Sequence, residues 1–223
     1  MKRTDNNKVT LEGFLENYCM SEDKQAGQPI ALMNIVTISR NRNKKTDEIE
    51  NIKVHHRVKL FADDMKETER KLTKLTEEAH DKTNDTYPLV CVEGFVLSQD
   101  GRTCIVAKNC DIKHRKASNT INSIKLSGKI QNAAFTNMYA RIALLPNGLD
   151  EPIRVIVNKN TDPEAYSKIS KAGDVKGCPM SVAGEILTKT YTDGTTNRVE
   201  IAVISRKANI QMTRKISNGP SLD

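Results

Sequence analysis

Val9-Thr10-Leu11-Glu12-Gly13-Phe14-Leu15-Glu16-Asn17 and, further along, Ile124-Lys125-Leu126-Ser127-Gly128-Lys129-Ile130-Gln131-Asn132 carry apolar residues at the same offsets, and their Gly and Asn coincide. In the first stretch Val9, Leu11, Gly13 and Leu15 alternate with Thr10, Glu12, Phe14 and Glu16. Period-two alternation is the mark of a strand with one buried face. A second pair of stretches follows the same logic. Pro88-Leu89-Val90-Cys91-Val92-Glu93-Gly94-Phe95-Val96-Leu97 resembles Pro179-Met180-Ser181-Val182-Ala183-Gly184-Glu185-Ile186-Leu187. Each runs into a turn, Asp100-Gly101 or Asp193-Gly194, and then into another apolar strand. Gly13 and Gly128 lie 115 residues apart, Gly94 and Gly184 lie 90 apart. The chain therefore reads as two halves with one order of elements and different lengths between them.

Working outward, the first half reads as strands over 9–17, 29–42 and 49–62, a helix, then strands over 89–97 and 103–111. Asp64 caps that helix, with Glu67 placed as in a capping box. Met65, Thr68, Leu72, Leu75 and Ala79 recur at spacings of three and four, one face of an α-helix. The second half reads as strands over 124–132, 137–145 and 152–158, a short helix, then strands over 180–188 and 198–205. Its helix opens Asp162-Pro163-Glu164, a cap followed by Pro at the first helical position, where a missing N–H costs nothing. Gly173 is placed to stop it. Residues 113–123, basic and polar without periodicity, read as a linker.

Composition limits the function. The 223 residues carry 35 Lys+Arg against 28 Asp+Glu, a net charge of +7. Residues 1–116 contribute +2 and residues 117–223 contribute +5. Aromatic residues make up 4% and Trp is absent, so several small cores of Val, Ile and Leu fit better than one aromatic core. No stretch approaches the ~18 apolar residues of a membrane span. No apolar segment follows the basic start Met1-Lys2-Arg3, so a cytoplasmic protein is expected. The five cysteines (Cys19, Cys91, Cys104, Cys110, Cys178) form no C-x-x-C pair and read as free thiols. The histidines, His55, His56, His80 and His114, form no ligand spacing, so neither metal nor cofactor is expected. Phosphate-loop, dinucleotide, zinc-protease and nucleophile-elbow motifs are missing, and Asp63-Asp64 is better explained as a helix start. A non-enzymatic protein is the expectation.

Three strands, a helix and two strands, run twice, is the order of the OB-fold, a five-stranded Greek-key barrel that binds oligonucleotides or oligosaccharides. Gly13 and Gly128 sit where that fold bends its long first strand, and Gly94 and Gly184 read as bends or bulges in strand four. Over about residues 8–210 the chain resembles tandem OB-fold single-stranded DNA-binding proteins, of replication protein A-like or phage and plasmid type. The resemblance implies a mainly β protein with short helices and two barrels: a first over 1–112, the linker 113–123, a second over 124–212 and a short tail over 213–223. It also implies binding of single-stranded DNA with little sequence preference, in replication, recombination or DNA transfer, with a mobile element as a source and self-association along the strand. RNA or tRNA binding, or an adaptor role through protein contacts, are the competing expectations. Aromatic residues are scarcer here than in the resembled proteins.

The candidate contacts follow from strand faces. Lys53, His55, Arg57, Lys59 and Phe61 alternate with Ile52, Val54, His56, Val58 and Leu60. Alternate strand residues stand about 6.6 Å apart, close to the phosphate spacing of an extended single strand. The same pattern also describes a face kept soluble by charge. Arg40, Arg42, Lys44 and Lys45 form a basic hairpin tip, either a phosphate clamp or a charged tip only. In the second half Tyr139, Arg141 and Arg154 fall on outward positions and would combine stacking with phosphate contact, unless Tyr139 packs on the neighbouring barrel. Tyr18 and Phe135 are weaker candidates, Phe14 points outward from strand one, and His56 reads as a core histidine.

Overall fold

The alternation of the first quoted stretch is strand β1 (Asn7–Asp23) in a computed structural model of the chain, which describes residues 7–23, 27–42, 49–78, 87–99, 102–115, 120–193 and 196–212. β2 (Gln28–Arg42), β3 (Ile49–Phe61), α1 (Met65–Glu78), β4 (Tyr87–Gln99) and β5 (Arg102–Arg115) complete the first half. The second half repeats the order as β6 (Ile121–Phe135), β7 (Tyr139–Pro146), β8 (Ile153–Asn158), α2 (Pro163–Lys171), β9 (Pro179–Asp193) and β10 (Thr196–Ile210). In the first half β1 pairs with β2, β2 with β3, β3 in parallel with β5, β5 with β4, and β4 with β1, which closes a barrel. In the second, β6, β7, β8, β10 and β9 close in the same way. Each barrel has its own helix between its third and fourth strands. The protein is mainly β, two tandem five-stranded barrels.

The four repeated glycines have one cause. A Cβ at Gly13, Gly94, Gly128 or Gly184 would stand 2.5, 2.1, 2.0 or 2.1 Å from the carbonyl oxygen of Val36, Val106, Leu145 or Ile204 on the neighbouring strand. Closing a small barrel brings the backbones this near, and only glycine leaves room. The irregularities also recur. β1 slips register between Leu15 and Asn17 and β6 between Ile130 and Asn132, three residues after the early glycine in each case. Opposite the late glycines, the ladder skips Lys108 in β5 and Arg206 in β10. Two asparagines repeat as well. Asn7 binds both backbone groups of Val96, and Asn122 both of Ile186, so that the side-chain amide stands in for a strand's peptide group.

The barrels are joined by a strand pair. β1 lies antiparallel to β6, with Asn7 opposite Leu126, Val9 opposite Ile124 and Leu11 opposite Asn122. Residue and counterpart exchange roles across Val9 and Ile124, the self-complementary arrangement of a two-fold dimer interface, here within one chain. This corrects the expected linker. Residues 113–115 belong to β5, paired with Leu89, Pro88 and Tyr87, and residues 121–123 belong to β6. Thr120 is tied to β2 by hydrogen bonds to both backbone groups of Ile38. Polar side chains hid these strands because backbone pairing, not apolar burial, holds them. Residues 116–119 and 213–223 lie outside the described residues. Glu12, expected on the outward face, is instead buried, with its carboxylate 3.1 Å from Lys113 Nζ on β5.

The helices follow their caps. The Glu67 N–H donates to Asp64 Oδ1 at 3.0 Å, and Leu72 and Leu75 are buried, while Met65 is exposed. Burying each leucine contributes about 2 kcal/mol. Asp162 accepts from the Ala165 N–H, the Ser205 hydroxyl and the Ala208 N–H, so one buried carboxylate caps α2 and pins it to β10. Gly173 follows α2 with φ +72°.

Candidate nucleic-acid interface

Backbone pairing of β3 with β2 sets the first face. Val54, His56 and Val58 are buried inside the barrel, so Lys53, His55, Arg57, Lys59 and Phe61 stand on the opposite side, all exposed or half-buried. Directly opposite residues of an antiparallel pair share a face. Ile38, Val36, Asn34, Leu32 and Ile30 are the partners of these five. Leu32, 43% exposed, and Phe61, 38% exposed, place apolar surface among the cations. Leu32 carries no sequence signal because β2 is apolar on both faces, which hides the period. Ile52, expected on the core side, is exposed near the strand's end.

Two of these five side chains are already engaged. Lys59 Nζ lies 2.6 Å from Asp23 Oδ2, with the two side chains only 25% and 10% exposed. It also lies 6.0 Å from the centre of the Phe61 ring. His55 Nδ1 lies 3.1 Å from Glu16 Oε2, an oxygen that also accepts from the Asn34 amide. Lys59 is thus part of the structure as well as of the face. Removing it takes a cation from beside a nearly buried carboxylate, which is disfavoured. Lys53 and Arg57 are exposed and report on the face alone. Arg40 and Arg42 stand on β2 opposite Asn51 and Ile49. Their side chains, with Lys44 and Lys45, lie outside the described residues.

The second face is built in the same way. Ala140, Ile142 and Leu144 are buried, which turns Tyr139, Arg141 and Ala143 outward. On β8, Val155 and Val157 are buried and Arg154 is exposed opposite Ala143. The structure brings Tyr139, Arg141 and Arg154 onto one surface. The Arg141 guanidinium lies 5.2 Å from the centre of the Tyr139 ring and donates to the Tyr139 hydroxyl at 2.9 Å. Phe135 and Met138 are exposed at the β6–β7 turn. Tyr18 is instead half-buried, with its hydroxyl 2.5 Å from that of Thr73 on α1, so it is occupied in packing.

His56 is fully buried, with Nε2 2.8 Å from the Thr37 hydroxyl and no partner for Nδ1 among the described residues. Burial, with His55 beside it, lowers its pKa from 6.5 to about 4. The fold therefore holds the neutral ring. Its contribution is complete above pH 6.5 and is lost as pH falls towards 4. At about 1.4 kcal/mol per unit, the full loss is of the order of 3 kcal/mol. The melting temperature should fall between pH 6.5 and 5, and His56→Gln should flatten that fall. An equal slope in both proteins assigns the pH dependence to other groups.

Among the described residues no group of three or more His, Cys, Asp or Glu is placed to hold a metal ion, and no helix is long and apolar enough to cross a membrane. Burial raises the Cys104 thiol above its ordinary pKa and that of Cys110 to about 11, away from the reactive thiolate form.

Two closed five-stranded barrels of this strand order, each with a helix after the third strand, are OB-folds, and the chain is a tandem OB-fold protein. Its whole length is similar in fold to the single-stranded DNA binding protein from Thermus aquaticus. The wild-type structure matches at a TM-score of 0.61 and 17% identity, covering 97% of this chain and 96% of that one. A deletion mutant of the same protein, with a point substitution, matches at 0.64 and 16%, covering 96% and 98%. No family model and no curated protein matches the sequence.

Proposed function

We propose that this chain is a non-enzymatic protein that binds single-stranded DNA with little sequence preference. It holds the strand across the outer faces of β2–β3 and β7–β8. The observation that carries this reading is the outward row Lys53, His55, Arg57, Lys59 and Phe61 on β3, because strands two and three of an OB-fold are its oligonucleotide face. A second such face, with Tyr139 beside Arg141 and Arg154, supports it. So does the two-barrel frame shared with the Thermus aquaticus protein. A charged groove that tracks the backbone, with rings for base stacking, is how such proteins bind without reading sequence. The role in the cell is protection of single strands in replication, recombination or DNA transfer, in the cytoplasm, with self-association along the strand.

Fluorescence anisotropy with labelled oligo-dT, the matching RNA and a duplex, each at two salt concentrations, tests the reading. Oligo-dT should bind tightest, and binding should weaken with salt. Each phosphate neutralised on a single strand adds about −0.7 to the slope of log affinity against log salt. Lys53→Ala with Arg57→Ala should therefore weaken binding and flatten the slope by about 1.4, with the melting temperature nearly unchanged. Preference for RNA moves the function to RNA binding. No affinity for any of the three at low salt makes the barrels protein-contact modules.

A further inference from the structure

The strands that join the barrels carry a row of cations that belongs to neither face. Val9, Ile124 and Leu126 are buried, so Lys8 on β1 and Ser123, Lys125, Ser127 and Lys129 on β6 stand on the outer side. Lys8, Lys125 and Lys129 are exposed, and β6 carries no Asp or Glu. Ala183 and Lys207 continue the row across β9 and β10, since Lys125 lies opposite Ala183 and Ala183 opposite Lys207. Lys8 lies 3.5 Å from Glu93, whereas Lys125 and Lys129 have no carboxylate partner among the described residues. Lys8 also stands directly opposite Lys125 where β1 pairs with β6. Like charges directly opposite on paired strands are destabilising. The joint therefore carries a cost that an anion lying across the two ammonium groups removes.

Pairing makes the row continuous with both faces, because residues directly opposite one another share a face. Lys129 lies opposite Leu145, on the side of β7 that carries Tyr139 and Arg141. Beyond Lys8, the same side of β1 leads to β2 and β3, with Phe14 opposite Val36 and Val36 opposite His55. Lys125 and Lys129 stand about 13 Å apart along β6, two steps of the ~6.6 Å that suits successive phosphates on β3.

We propose that Lys125 and Lys129 of β6, with Lys8 of β1, hold the phosphates of a single strand of DNA where it passes between the two faces. The inference rests on the single-stranded DNA reading of those faces. It makes the joined barrels one continuous binding surface, with the β1–β6 pair as part of that surface as well as the joint.

Lys125→Gln with Lys129→Gln removes both charges at exposed positions. With an oligo-dT of about thirty residues, long enough to lie on both barrels, the salt slope should flatten by about 1.4, two phosphate contacts. Affinity at low salt should fall about fivefold. The melting temperature should hold or rise, because Lys8 no longer faces a like charge. Lys66→Gln with Lys171→Gln, exposed on the two helices, lowers net charge equally and should leave the slope nearly unchanged. An oligo-dT of about six residues, within the site of one OB barrel, should bind the β6 variant nearly as it binds the unmodified chain. An unchanged slope with the long oligomer overturns the row while leaving the two faces and the binding function intact. So does an equal change from the helix pair, which makes the effect one of net charge. An equal loss with the short oligomer places the lysines within one face and overturns the passage between the two. A chain that binds oligo-dT in none of its forms overturns the function and the row together.

Discussion

Replacing Gly128 by alanine should destabilise the protein by about 3 kcal/mol and lower its melting temperature by about 9 °C. The new methyl group would stand 2.0 Å from the Leu145 carbonyl oxygen and 2.7 Å from the Pro146 Cα, both backbone atoms of the paired strand. No side-chain rotation relieves that contact, so β6 and β7 must part where the second barrel closes. Gly148→Ala is the control. Its φ is +82°, and nothing lies within 4 Å of the added carbon, so only the left-handed backbone is penalised, at about 1 kcal/mol. Urea and thermal unfolding of the two variants decide the matter. Equal losses mean that close strand approach is not why glycine stands at Gly128.

Tyr139→Ala should weaken oligo-dT binding by about 10- to 100-fold while nearly keeping the salt slope. Stacking of one base on an aromatic ring is worth about 1–3 kcal/mol and releases few counterions. Tyr139→Phe separates the ring from its hydroxyl. It keeps the stacking surface and loses only the bond that receives Arg141 Nη2 at 2.9 Å, so its affinity should stay within about threefold of the unmodified chain. A phenylalanine as damaging as alanine makes Tyr139 a residue that positions Arg141. An alanine without effect takes β7 out of the interface.

Much of the fold and of the two faces is legible in the residues alone. Period-two patterning assigns the strand faces of β3 and β7, and burial of Val54, Val58, Ala140 and Ile142 bears them out. Asp64 and Asp162 are readable as caps because capping is a local geometry of three or four residues. The asparagine clamps are within reach. Asn7 and Asn122 share the 115-residue offset of Gly13 and Gly128, but an asparagine at a strand's start carries no pattern of its own. Other features have no local signal. Glu12 alternates as an outward residue, yet it is buried beside Lys113, 101 residues away. Lys59 alternates as an available cation, and its partner Asp23 is distant in sequence. Residues 113–115 and 121–123 resemble a linker because these strand ends are polar.

The sequence by itself determined the repeated plan, the glycines where strands nearly touch, the helix starts and the side of each strand that faces water. Side-chain alternation, close approach and capping are properties of short segments. The tertiary structure decided that β1 and β6 join the barrels into one sheet, that Glu12 is buried, and that Asp23 and Glu16 hold Lys59 and His55. Those outcomes depend on strand order and register, which bring together groups that no local pattern relates.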